Sequence, residues 1–92
     1  MRSRHHFHIE HAGHSVSATV ETGHTAVVEI LVDGKETGYA TTPDEHPVTV
    51  RVELPTDPPT AVAVRVTPGP GVPRCLLETP GAEPHIMSPR PY

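Results

Sequence analysis

The dipeptide Asp33-Gly34, set between TAVVEILV and KETGYATT, constrains this chain more than any other stretch. A two-residue type I′ turn needs positive φ at both central positions, and Asp followed by Gly meets that need. The flanking runs are rich in β-branched residues, so residues 25–42 read as an antiparallel hairpin. A turn this short sets the register: Val32 opposite Lys35, Ile30 opposite Thr37 and Val28 opposite Tyr39. Val28, Ile30, Val32 and Tyr39 then share one face, the expected core side.

The remaining segments can be laid against this ribbon. HHFHIEHAGHSVSATVET, residues 5–22, reads as a hairpin around Ala12-Gly13 in which Ile9 faces Val16, Phe7 faces Ala18 and His5 faces Val20. Its apolar face collects Phe7, Ile9, Val16, Ala18 and Val20, and its polar face His6, His8, Glu10, Ser15, Ser17, Thr19 and Glu21. Ala12 would sit at positive φ, which argues for a loop one residue longer. Val48 to Leu54 alternates cleanly and pairs across PTDPP with Thr60 to Thr67, directing Val62, Val64 and Val66 inward. Cys75 to Glu78 is a short last strand. Twelve Val and eleven Thr favour strands, and twelve Pro with seven Gly disfavour long helices.

Six or seven short strands joined by turn-rich loops define an all-β fold, a small antiparallel immunoglobulin-like β-sandwich. Residues 1–79 are expected to form the single domain and residues 80–92 an extended or disordered Pro-rich tail. The first or last strand is the expected edge, with the Val48 to Leu54 ribbon more central.

VEILVDGKETGYATTP, Val28 to Pro43, followed by VTVRVELP, Val48 to Pro55, resembles the strand, VDGK turn, G-x-x-TP, strand pattern of bacterial immunoglobulin-like and PEGA-type modules. That resemblance implies a β-sandwich serving as an accessory binding or spacer domain. The chain has PDEH, Pro43 to His46, where the PEGA family carries its name-giving tetrapeptide.

The charge balance narrows the functional classes. Eleven acidic against seven basic side chains give a net charge of −4, and Lys35 is the only lysine, so a nucleic-acid interface with its basic stripe is not expected. Carbohydrate binding is not expected either, because it relies on exposed aromatic platforms and only Tyr39 and Tyr92 are candidates. One cysteine excludes an internal disulfide framework. With no apolar h-region behind the N-terminal MRSRHHFHIEH and no run long enough to span a bilayer, the expected setting is cytoplasmic, with no membrane partner.

The most unusual constellation is histidine-rich: His5, His6, His8, His11 and His14, with Glu10 among them. On a strand, residues two apart project to the same side, so His6, His8 and Glu10 project together as candidate ligands for Zn²⁺, Ni²⁺ or Cu²⁺, while His11 and His14 oppose each other across the turn. The competing interpretation is a solvated polar face, which would still sense pH through its imidazoles. Cys75 follows Arg74, a neighbour that activates an exposed thiol, yet it also begins an apolar strand where cysteine serves as a small hydrophobe. No P-loop, GxGxxG, GxSxG or CxxC pattern is present. The expected function is therefore a non-enzymatic interaction module that engages a protein partner through an exposed edge strand or self-associates, with metal binding or pH sensing as the alternative.

Overall fold

The computed structural model describes residues 3–43, 46–69 and 71–90. Pro91 and Tyr92, the end of the expected Pro-rich tail, lie outside the described residues. The described residues form nine strands and no helix: β1 (Ser3–His11), β2 (His14–Thr22), β3 (Thr25–Val32), β4 (Lys35–Pro43), β5 (Val48–Leu54), β6 (Thr60–Thr67), β7 (Arg74–Glu78), β8 (His85–Ile86) and β9 (Ser88–Arg90). They build two antiparallel sheets, ordered β4-β3-β2-β1-β9 and β5-β6-β7-β8. No helix among the described residues is long and apolar enough to cross a membrane.

The first hairpin has the expected register, with Ile9 opposite Val16, Phe7 opposite Ala18 and His5 opposite Val20. Ala12 accepts φ +53° beside Gly13 at +78°, so the two-residue turn closes without an added residue. β5 and β6 also pair as the alternation requires, Val50 opposite Val64 and Val52 opposite Val62. The inward side chains of both sheets join one apolar core that includes Val28, Ile30, Leu54, Val64 and Leu77. Strands are sequential neighbours within each sheet; the exception is β9, which pairs with β1. An immunoglobulin Greek key would set non-consecutive strands side by side, and these sheets are instead two successive meanders.

The structure corrects three further expectations. Tyr39 is not in the core but 61% exposed. Asp33-Gly34 does set Val32 opposite Lys35 and Leu31 opposite Glu36, but Ile30 then pairs with Gly38, which leaves Thr37 as an extra residue on β4. Because side chains alternate with period two, this bulge moves every later β4 residue to the other face. Ala40 and Thr42 turn inward, and Thr42 satisfies its buried hydroxyl by donating to the His46 carbonyl at 3.2 Å.

The second correction concerns β5, which is an edge strand and not a central one. The β3–β4 turn specifies only that those two strands are neighbours, and the chain after Pro43 begins the other sheet, where β6 is the only ladder partner of β5. The third concerns the C-terminal segment. β8 pairs with β7 and β9 pairs with β1, so residues 85–90 join the two sheets and do not trail as a tail. Met87, 1% exposed, crosses between them, and its N–H donates to the Cys75 carbonyl at 3.1 Å.

Candidate functional site

The polar face of β1 and β2 is outward, as the alternation requires, but its histidines are spread along hydroxyl-bearing neighbours. His6 faces Thr19 and His8 faces Ser17 across the strand pair. His6 Nδ1 lies 3.3 Å from Thr19 Oγ1, and His8 Nδ1 lies 3.2 Å from Ser17 Oγ. Glu10 is exposed at the far end of the same face. His11 and His14 oppose each other at the turn, yet each takes a different partner: His11 stacks at a tilt on His85 with ring centroids 5.5 Å apart, and His14 binds Asp33. Among the described residues no three His, Cys, Asp or Glu side chains converge where one metal ion could sit.

Asp33 has a role that its place in the turn did not reveal. Its Oδ1 accepts the Ser15 N–H at 3.0 Å, its Oδ2 lies 2.7 Å from His14 Nδ1, and its own N–H donates to the Ser15 carbonyl at 2.8 Å. These bonds tie the second hairpin turn to the start of β2. The Ser15 N–H, and then His14, hold the carboxyl below its ordinary range. A carboxylate whose folded pKa is depressed stabilises the fold fully above its unfolded value of about 4 and loses that contribution as the pH falls through the lower, folded value. Asp33→Asn preserves a residue tolerant of positive φ but removes the charge. We expect it to melt below the wild type near neutral pH, by a modest margin because the pair is exposed, and the gap to close with acidification. Thermal unfolding of both proteins in acid and at neutral pH checks this, and a gap independent of pH would assign the effect to geometry alone.

On the neighbouring strands Glu36 has its carboxyl raised, first by a hydrogen bond shared with Glu29 and then by that residue's charge. Cys75 is buried, its carbonyl accepting the Met87 N–H, and desolvation pushes its thiol up to about 12, the opposite of an activated nucleophile. An apolar groove of about 530 Å³ opens where Phe7, Cys75 and Met87 meet the exposed Val72 and Ile86.

The four sheet edges differ in what they offer. β4 contains the Thr37 bulge and ends at Pro43, while β8 and β9 are two and three residues long. Bulges, proline and brevity are the ordinary devices by which sheets discourage edge pairing. β5 has none of them: it runs seven residues from Val48 to Leu54 in unbroken register with β6 and contains no proline. An open cleft of about 590 Å³ lies beside it, lined by Thr37 of β4, Arg51, Val52 and Glu53 of β5, and Ala61 of β6. Along β5 the inward Val50, Val52 and Leu54 belong to the core, and Thr49, Arg51 and Glu53 are exposed on the opposite face.

No family model, curated protein or solved structure matches this chain.

Proposed function

We propose that this chain is a small, non-enzymatic β-sandwich module, immunoglobulin-like in its layering, that binds a protein partner by strand addition along β5. The observation that carries this reading is the contrast among the edges: β5 alone among the described strands is an edge of full strand length with neither bulge nor internal proline. An edge presents a row of backbone N–H and C=O groups for which the sheet has no second partner. A strand laid beside it gains main-chain hydrogen bonds, and Thr49, Arg51 and Glu53 then select among sequences by their contacts on the exposed face. The resemblance of residues 28–55 to bacterial accessory binding modules points the same way. The high pKa and burial of Cys75 support a non-enzymatic role.

Peptide display with alternating apolar and polar residues tests the reading, followed by mapping of selected peptides through amide chemical shifts. The expected footprint is β5, with smaller changes at Thr37 and Ala61 on the walls of the cleft. Selection that yields only peptides perturbing other strands would refute strand addition at β5.

A further inference from the structure

Arg51 and Glu53 stand two residues apart on the exposed face of β5, with opposite charges. Neither takes part in an ion pair or side-chain hydrogen bond among the described residues. Their neighbours on β6 are Ala63 and Ala61, which offer no countercharge. One strand further, Glu78 is engaged with Arg65 at 3.9 Å. The side of β5 that has no ladder partner, where Thr37 of β4 lines the adjoining cleft, is therefore where both charges can find a partner, and a single strand that carries Glu opposite Arg51 and Arg opposite Glu53 would satisfy them together.

β5 itself is such a strand. We infer that the strand added to this edge is β5 of a second copy of the chain, antiparallel, related by a two-fold axis at Val52; the inference rests on the edge reading above. In that register Arg51 faces Glu53 of the second copy and Glu53 faces Arg51 of the second copy. On the inner side, Val52 meets its own counterpart and Val50 meets Leu54 of the second copy. Side chains directly opposite on antiparallel strands have Cβ atoms about 5 Å apart, close enough for the two ion pairs.

The pattern excludes the neighbouring registers. Paired residues must lie on the same face, so the axis passes through a residue and not between two. An axis at Arg51 sets guanidinium against guanidinium, and one at Glu53 sets carboxylate against carboxylate, both destabilising. An axis at Val50 places Arg51 opposite Thr49 of the second copy and leaves both charges unpaired. Only Val52 pairs every charge, as an isologous two-fold contact requires. The product is one eight-stranded sheet, β8-β7-β6-β5 continued by the same four strands of the second copy.

A contact made by a single strand pair is small for a protein interface, so association should be weak and concentration-dependent, with the dimer forming at roughly 10 to 100 µM. Sedimentation velocity across that range tests it. Arg51→Glu and Glu53→Arg should each weaken self-association at least tenfold, because one presents only carboxylates and the other only guanidinium groups. An equimolar mixture of the two should dimerise again, and so should the charge-swapped double variant, since in both cases every Arg regains a Glu. A wild type that stays monomeric throughout, single variants that dimerise like the wild type, or a swapped variant that fails to dimerise would each overturn the inference. A monomeric wild type whose β5 still binds displayed peptides would remove self-pairing and leave the edge reading intact.

Discussion

Replacing Gly38 by alanine should destabilise the fold by about 1 to 2 kcal/mol, although alanine is the better residue for a strand backbone of ordinary φ. A Cβ at this position would stand 2.7 Å from Val50 Cγ1 and 2.9 Å from Val52 Cγ1. Both methyl groups belong to side chains held in the core, where overpacking costs about 1 to 3 kcal/mol. Against this, removing a glycine restricts the unfolded chain and contributes about 0.4 to 1 kcal/mol of stabilisation. The clash outweighs the gain, and at about 4 to 8 °C per kcal/mol for a domain of this size the midpoint should fall by roughly 5 to 15 °C. Gly38→Val should lose more. A double-mutant cycle identifies the cause: trimming Val50 to alanine vacates the space that the new methyl needs, so Gly38→Ala/Val50→Ala should be less destabilised than the sum of its single changes. Urea unfolding of the four proteins measures this, and strictly additive losses would exclude the contact. Gly38 is also where β4 comes close to β5, so the same substitution displaces a wall of the cleft beside the proposed binding edge.

The residues that define the fold differ in how plainly they announce it. The β1–β2 register was legible because turn position and apolar alternation agree, so that a slip of one residue would expose Phe7; for β5 and β6 the alternation made legible the pairing and the inward Val62, Val64, Val66 row, but PTDPP did not specify which residues face each other. Tyr39 was misplaced because a bulge inserts one residue without disturbing composition. Its sequence signal was Gly38 itself, since a glycine inside a strand marks a bulge or a close backbone approach, and here it marks both. The edge position of β5 had no local signal, because a hairpin specifies its two members and says nothing about what lies on their other sides. Among the histidines, alternation correctly separated His6, His8 and Glu10 from His11, but convergence depends on cross-strand neighbours. Those neighbours turned out to be Ser17 and Thr19, small hydroxyls that engage each imidazole separately. The bonds from Asp33 to His14 and Ser15 required two turns to meet in space, which neither turn sequence encodes alone.

Met87→Ala should cost about 2 to 4 kcal/mol, an outcome that separates an integral C-terminal segment from a trailing one. Beyond Leu77, Met87 is the one buried residue among those described, so the attachment of residues 79–90 depends largely on a single side chain. Ile86 and Met87, two adjacent apolar residues among prolines, show no periodicity, which is why the segment reads as a tail. In the structure it fills the core end where Phe7 and Cys75 meet, and its N–H completes a bond to the Cys75 carbonyl. Truncation to alanine removes the transfer free energy of three heavy atoms and leaves a cavity beside the open groove. The expected fall in midpoint is roughly 10 to 25 °C. A detached tail would give no change. Cys75 reports the same event independently: buried, with its thiol pushed up to about 12, it should react slowly with a disulfide reagent in the wild type and markedly faster in Met87→Ala. Loosening β8 and β9 lowers the cost of local opening over the thiol. Loss of stability together with faster thiol reaction is the result that ties the last strands to the core. Unchanged thiol reactivity in a destabilised protein would place the loss elsewhere, and neither change would detach residues 79–90 from the fold.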